Sequence, residues 1–203
     1  MQTTHRTVSI LPVRVSIFLA LGALTWFAGV IAASASGTLG RLAGRFMPAF
    51  AVLVVVGIAV PVLLYYVLPR VRAAVDAIGI RPLTLMHTWR IPAALVFFYY
   101  GAQGALPALF WVPAGVGDFL AGAYALSLFF GEASAERYRR VHLFGFADFV
   151  SAVGLGLTFT LLGDARMALL TTLPIALIPL FGVGLSGASH IIALTSLLRR
   201  RAG

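Results

Sequence analysis

Long uncharged runs are the feature that most constrains the fold of this chain. Residues 15–40, 46–69, 91–117 and 167–198 contain no Asp, Glu, Lys or Arg. A helix of about 20 apolar residues crosses the ~30 Å hydrocarbon core of a bilayer. Each of these runs is long enough to form such a helix. The sequence therefore predicts an integral membrane protein built from transmembrane helices.

The composition agrees with a membrane protein and excludes several classes of site. The chain has 203 residues, of which 61% are hydrophobic and 10% are charged, whereas soluble domains carry about 25% charged residues. It has no Cys, which excludes disulfides, thiolate-bound metals, iron–sulfur clusters and covalently attached c-type haem. The net charge is +9, but the basic residues cluster between apolar runs, where they act as topology signals and contact lipid headgroups. We therefore expect membrane lipids, and not nucleic acid, as partners.

We predict an all-α, polytopic membrane protein with a six-helix transmembrane bundle that forms one domain over residues 1–203. The predicted spans are roughly 15–35, 47–68, 88–105, 113–131, 141–163 and 171–198. Between the third and fourth spans, the uncharged stretch LPALFWVP (106–113) contains Pro107 and Pro113, and proline breaks helices. Irregular backbone at membrane depth must be shielded by protein or line a wet cavity. We therefore expect a buried, irregular connection there.

Arginine residues predict the orientation of the bundle. In the six-span topology, twelve lie on one side: Arg6, Arg14, Arg70, Arg72, Arg81, Arg90, Arg137, Arg139, Arg140, Arg199, Arg200 and Arg201. The other side holds only Arg41, Arg45 and Arg166. Because basic residues stay on the cytoplasmic side, both termini are predicted to be cytoplasmic.

The basic residues also bear on the source of the chain and on its first span. All of them are Arg and none is Lys, and Ala and Gly are frequent, which is typical of a GC-rich bacterial genome. We therefore expect a multi-pass protein of the bacterial inner membrane. The first apolar run, 17–33, is longer than the usual 7–15-residue core of a signal peptide, so we expect an uncleaved anchor.

Asp118 is an ionisable residue that the prediction places inside the fourth span. Such residues are costly in a membrane and are functional hypotheses for that reason. Asp118 follows Pro113 by five residues, which places it near the start of the fourth predicted helix, where the helix dipole stabilises an anion. Small residues share its helix face and mark close packing. We therefore expect Asp118 to point into the bundle, with Gln103 at the end of the preceding helix as its partner.

Asp148 and His190 form a second candidate polar group. Asp148 follows Arg140 by eight residues and His190 precedes Arg199 by nine, so their depths are about 12 and 13 Å at 1.5 Å per residue. Because these depths agree, we expect Asp148 and His190 to approach one another across the fifth and sixth helices. Ser186 lies on the same helix face as His190.

His87, Arg90 and His142 lie near the predicted cytoplasmic ends of spans, where Arg and aromatic residues commonly act as anchors. Arg90 is long enough to reach the carboxylate of Asp148. The predicted depths of His142 and His190 differ by about 10 Å. A b-type haem between these two imidazoles is therefore not expected.

Two short motifs resemble those of intramembrane proteases. GVGD (115–118) resembles the Gly-x-Gly-Asp motif of presenilin-like and prepilin-peptidase-like aspartyl proteases, which need two carboxylates that share a proton. Asp148 is the only other aspartate in a predicted span, about 10 Å away in depth, and the Tyr-Asp motif of that family is missing. GLSGASH (184–190) resembles rhomboid proteases, but Ser189 and His190 are neighbours on one helix and point apart. We therefore favour a non-enzymatic protein with no catalytic residue, cofactor or metal.

The segments HTWRIPAALVFFYYGAQGALPALFWVPAGVGDFLAG (87–122) and HLFGFADFVSAVGLG (142–156) resemble a group of small bacterial multi-pass inner-membrane proteins. The likeness rests on the pattern LPxxFxxPAGxGD and on the following Gly and Asp, namely Leu106, Pro107, Phe110, Pro113, Ala114, Gly115, Gly117, Asp118, Gly145 and Asp148. The resemblance implies that the two aspartate segments form one unit. It implies no substrate.

Two functions fit these observations. The first is a small permease or proton-linked carrier of a small molecule or ion, with a polar route from Asp118 to Asp148 and His190. Discontinuous helices with polar groups are typical of transport sites. The other residues that we assign to this polar route, or to a buried polar cluster around it, are Gln103, Ser186, Arg90 and His142. The second is a non-catalytic accessory or assembly subunit of a membrane complex, in which polar residues hold helices together, and an aspartyl protease is the least favoured reading.

Overall fold

The computed structural model describes residues 10–131 and 133–202, in which the regular structure is entirely helical. Of the predicted orientation signals, Arg6 lies outside these residues. The α-helices are α1 (Ile10–Ala35), α2 (Thr38–Arg45), α3 (Met47–Val67), α4 (Pro69–Ile78), α5 (Ile80–Leu85), α6 (Arg90–Ala102), α7 (Ala108–Leu126), α8 (Ala135–Leu161) and α9 (Val183–Ala202). Short 3₁₀ segments cover Met86–Trp89 and Ala165–Thr171, and a π-helical turn covers Ile178–Gly182.

Among the described residues, five helices are long and apolar enough to cross a membrane. They are Arg14–Ala35, Pro48–Val67, Ala108–Leu126, Ala135–Leu161 and Ile178–Arg199. Many of their large apolar side chains are exposed on the outside of the bundle, for example Phe18 at 72% and Val67 at 66%. Such surfaces suit lipid and not water. The predicted all-α fold is therefore confirmed, with five helices that are candidates for crossing a membrane.

The predicted third span, 88–105, differs most from the structure. The helix there, α6, has only 13 residues, which is about 20 Å at 1.5 Å per residue. It is preceded without a gap by α5 and the 3₁₀ turn Met86–Trp89, so residues 80–102 form one broken helical segment. Pro92 explains the position of the break, because it has no N–H to donate to the carbonyl of Thr88.

The fourth helix begins earlier than predicted. Helix α7 starts at Ala108, directly after Pro107, and contains Pro113 within its length. Pro113 lies in the second turn of α7, where its ring is accommodated without ending the helix. The irregular connection between α6 and α7 is therefore only residues 103–107, which is shorter than the expected stretch 106–113 and begins three residues earlier.

The fifth and sixth helices also have shifted boundaries. Helix α8 starts at Ala135 instead of residue 141, because the Ser134 side chain accepts a hydrogen bond from the backbone N–H of Arg137 and caps the first turn. The predicted last span began at residue 171, but the backbone there is a 3₁₀ segment that ends at Thr171. The final spanning helix begins at Ile178.

Small residues allow helices α3 and α9 to approach closely. A β-carbon added at Gly184 of α9 would lie 2.6 Å from the backbone oxygen of Gly57 in α3 and 2.5 Å from the ring of Trp26 in α1. Glycine at this position therefore brings three helices into contact, as is common in membrane helix packing.

We expect Gly184→Ala to lower the free energy of unfolding by about 1–3 kcal/mol, because a methyl group there overlaps a backbone atom of α3. Thermal unfolding in detergent measures the change. Gly154→Ala in α8 is the matched control, because a β-carbon at Gly154 meets nothing within 4 Å, and it should leave stability unchanged or slightly raised. Equal destabilisation by both substitutions would contradict the close α3–α9 contact.

Candidate functional site

Arg90 lies at the centre of the bundle because the broken segment 80–102 places the start of α6 there. The side chain is 3% exposed. Its Nε donates to Asp118 Oδ1 of α7 at 2.6 Å, its Nη2 donates to Asp148 Oδ2 of α8, and its Nη1 donates to the carbonyl of Gly145 at 3.2 Å. All three guanidinium nitrogens are thus engaged. We call Arg90, Asp118 and Asp148 the ion triad.

Two glycines provide the space for the ion triad. A β-carbon at Gly117 would overlap the carboxylate of Asp148. A β-carbon at Gly145 would lie 2.8 Å from Nε2 of His190 and 3.4 Å from Nη1 of Arg90. The glycine that precedes Asp118 in GVGD is therefore explained by the close approach of α8 to α7.

Arg90 connects Asp118 and Asp148 in the structure. The sequence had predicted that these two aspartates differ in depth by about 10 Å. The depth of Asp118 was wrong because it was counted from Pro113, whereas α7 begins five residues earlier at Ala108. Five residues correspond to about 7.5 Å along a helix. Asp118 therefore lies in the middle of α7, level with Asp148 in the middle of α8. The contact of Arg90 with Asp148, which side-chain length allowed, is present.

Gln103 does not contact Asp118, contrary to the prediction. It follows the end of α6 at the surface of the bundle, and its Nε2 donates to the carbonyl of Tyr99 at 3.0 Å. The reason is again the early start of α7, which carries Asp118 several turns away from the α6–α7 connection. Arg90, at the opposite end of α6, takes the place expected for Gln103.

His142 and His190 contact each other directly. Their Nδ1 atoms are 3.0 Å apart, and both residues are buried. His142 was expected near the membrane surface, but α8 begins at Ala135, so His142 lies two turns inside this helix. His190 was expected to approach Asp148, yet among the described contacts its ring bonds to His142 while the Asp148 carboxylate bonds to Arg90.

His87 completes a group of three buried imidazoles, which we call the histidine cluster. The rings of His87 and His190 stack with centroids 3.9 Å apart. One nitrogen from each of the rings of His87, His142 and His190 lies within 4.8 Å of the other two. The sequence interpretation treated His87 as an anchor. Its spacing from Arg90, one helical turn, is the only signal that pointed to a shared site.

Hydroxyl groups hold the cluster in place. Thr84 Oγ1 lies 2.9 Å from Nε2 of His142, and Ser189 Oγ lies 2.8 Å from Nε2 of His87. Ser186 accepts a hydrogen bond from the indole N–H of Trp89 at 3.0 Å. Ser186 was predicted as part of the polar cluster, but Thr84 was not, because a lone threonine is common in membrane helices.

His87 is buried in the 3₁₀ turn Met86–Trp89, and its Nδ1 makes no hydrogen bond. A neutral imidazole keeps one nitrogen lone pair available. The residue is therefore suited to accept a hydrogen bond or to bind a metal.

An apolar cavity of about 110 Å³ extends from the ion triad toward the end of the bundle where α7 begins and α8 ends. Its polar foot consists of Arg90, Asp118, Trp89 and Ser186. Elsewhere the lining is largely apolar, with aromatic rings from Phe50, Phe97, Phe110 and Phe149. Its rim includes Val55 and Leu157, which are 58% and 42% exposed. The cavity thus reaches the lipid-facing surface between α3 and α8.

Asp118 and Asp148 are held by one cation between them. Each bonds to the same guanidinium, and no hydrogen bond joins Asp118 to Asp148 among the described residues. A protease dyad requires two carboxyl groups that share one proton directly. The geometry is that of an ion triad with a cation between the acids.

We expect Arg90→Met to lower the free energy of unfolding by about 3–5 kcal/mol, because it leaves two buried carboxylates without a cation. Adding Asp118→Asn and Asp148→Asn to it should recover most of this loss. Chemical unfolding in mixed micelles measures the differences. Arg166→Met is the control, since that arginine pairs with Asp164 at an exposed position and its loss should change stability far less. A small effect of Arg90→Met would contradict the structural importance of the triad.

Comparison with known proteins places the chain in one family. No curated protein and no solved structure matches it. Residues 47–198 match the family described as Domain of unknown function (DUF8737). This range covers most of the chain and contains the ion triad, the histidine cluster and the cavity-lining helices. The chain therefore belongs to the DUF8737 family.

Proposed function

We propose that this protein is a small proton-linked carrier of the bacterial inner membrane that moves amphiphilic cations. The observation that carries the proposal is a buried arginine shared by two carboxylates at the foot of an apolar cavity. Membrane lipids surround the bundle, and the substrate enters the cavity from its open rim between α3 and α8.

The proposed topology has six crossings. The broken segment 80–102, made of α5, the 3₁₀ turn and α6, serves as the sixth crossing beside the five continuous helices. An even number of crossings puts both termini on one side, and the arginine distribution assigns that side to the cytoplasm. A helix broken at mid-membrane beside a polar site is the arrangement found in many transporters. The cavity then lies in the outer half of the bundle.

The charges of the ion triad favour the binding of one proton. One guanidinium and two ionised carboxylates leave a net charge of −1 in a buried site, and an uncompensated charge there is costly. A proton on either Asp118 or Asp148 neutralises this net negative charge. The other titratable groups that face this region are His142 on α8, His190 on α9 and His87 on the 3₁₀ turn. The triad is therefore a site for one exchangeable proton.

The cavity selects the ligand. Its walls are apolar and aromatic, which favours a ligand with an apolar body. Its foot carries the excess negative charge of the triad, and ring faces such as that of Trp89 attract cations. A cationic group at the foot neutralises the same charge that a proton neutralises. Substrate and proton therefore compete for Asp118, and this competition couples their movements in opposite directions.

We expect purified protein in liposomes to exchange ethidium, an amphiphilic cation, against protons when a pH gradient is imposed. Asp118→Asn and Asp148→Asn should each reduce this flux at least tenfold, because one carboxylate paired with Arg90 leaves no net charge for a proton to neutralise. Ethidium fluorescence and a pH-sensitive dye inside the liposomes measure the two fluxes.

Asp164→Asn serves as the control for these variants. Asp164 is paired with Arg166 outside the cavity, so its replacement should leave the flux unchanged. Wild-type protein that moves no more ethidium than empty liposomes, or flux that persists in both site variants, would overturn the carrier proposal. The second result would favour the accessory-subunit function, in which the triad only holds α6, α7 and α8 together.

A further inference from the structure

The histidine cluster joins three separate parts of the chain. His87 comes from the 3₁₀ turn between α5 and α6, His142 from α8 and His190 from α9. Their exposed fractions are 1%, 0% and 1%. The carrier mechanism uses the ion triad and the cavity, and it leaves these imidazoles without a role.

The hydroxyl partners determine where the protons of two rings lie. Thr84 Oγ1 donates to the carbonyl of Ile80 at 2.7 Å, so it accepts from Nε2–H of His142. Ser189 Oγ donates to the carbonyl of Ser186 at 3.0 Å, so it accepts from Nε2–H of His87. In the neutral rings, Nδ1 of His142 and Nδ1 of His87 therefore carry lone pairs. These assignments follow from hydrogen-bond geometry.

The position of the proton on the His190 ring follows from its position on the His142 ring. Because Nδ1 of His142 carries no proton, Nδ1–H of His190 is the donor in the 3.0 Å contact between them. The other nitrogen of neutral His190, Nε2, then carries a lone pair as well. Each of the three rings thus has one unprotonated nitrogen, and that of His142 accepts the hydrogen bond from His190.

Two of these lone pairs lack a partner. Nδ1 of His87 and Nε2 of His190 are buried and make no hydrogen bond. A buried polar atom without a partner destabilises a fold, and native proteins contain few of them. Two such atoms within one compact cluster of imidazoles point to a ligand that accepts electron pairs.

We propose that His87, His142 and His190 bind one divalent transition-metal ion of the kind that prefers imidazole, with Zn²⁺ as its representative. Neutral imidazole nitrogen is a common ligand of Zn²⁺, Cu²⁺, Ni²⁺ and Fe²⁺. Three histidines leave a fourth position open on a tetrahedral ion. One nitrogen of each ring lies within 4.8 Å of the other two. Binding brings the rings closer together, until each ligating nitrogen is about 2.0–2.1 Å from the ion.

The surroundings resemble those of bound metal sites. Metal-binding histidines usually donate their other N–H to an oxygen that fixes the ring, and Thr84 and Ser189 supply such oxygens for two rings. The neighbouring ion triad carries one more negative than positive charge, which favours a cation close by. Gly145 packs between His190 and Arg90, so the metal site and the triad are adjacent but separate.

The test uses the full chain, purified in detergent without a histidine tag, treated with a chelator and then titrated with Zn²⁺ against a chromophoric competitor. We expect one Zn²⁺ per chain. Substituting His87→Gln, His142→Gln and His190→Gln together should abolish binding, whereas His5→Gln should not, although His5 is the remaining histidine of the sequence. Co²⁺ should give the intense visible absorption of a tetrahedral site in the wild type and lose it in the triple variant.

Thr84→Val keeps the three ligands and tests the site even if the triple variant fails to fold. It removes the oxygen that orients His142, so Zn²⁺ affinity should fall 10–100-fold. Zn²⁺ should also raise the unfolding temperature of the wild type. Asp118→Asn should still bind Zn²⁺, which separates this inference from the carrier mechanism. Binding of fewer than one Zn²⁺ per ten wild-type chains, or equal binding by wild type, triple variant and Thr84→Val, would overturn the metal site.

Discussion

The shared hydrogen bonding of Arg90 to Asp118 and Asp148 is the interaction on which the centre of this bundle depends. In a low-dielectric interior, a charged side chain must be paired and fully hydrogen-bonded. Arg90 meets this requirement only because α6 begins at mid-bundle and because α7 and α8 each present a carboxylate at the same level. The broken helix, the packing of three helices and the polar foot of the cavity all follow from that arrangement.

Glycines at the helix contacts make room for these paired charges. Gly117 lets the carboxylate of Asp148 lie against α7, and Gly145 lets the guanidinium and the ring of His190 lie against α8. The LPxxFxxPAGxGD pattern and the Gly145–Asp148 pair therefore describe one structural unit. The same GVGD letters occur in aspartyl proteases, but here the glycine before Asp118 makes room for a second helix.

Particular residues show how far the sequence could predict the site. Asp118, Asp148 and His190 could be predicted as buried polar residues because charge is costly in a membrane. Arg90 and His142 were expected near the cytoplasmic ends of spans. Their partners depended on helix boundaries. Counting from Pro113 placed Asp118 too close to the surface and next to Gln103, since proline in the first turns of a helix does not always end it. The contact of His87 with the other two histidines depends on a 3₁₀ turn that no local sequence pattern indicated.

The sequence by itself determined that this protein is a bundle of apolar helices with a few ionisable residues inside it. Run length and composition suffice for that, because the bilayer sets the length of a crossing and penalises exposed charge. Only the tertiary structure decided that two aspartates share one arginine, that three histidines converge beside them, and that a cavity opens above. These features bring together residues up to about 100 positions apart in the sequence, such as His87 and His190. A shift of any one helix by one turn, about 5.4 Å, would separate them.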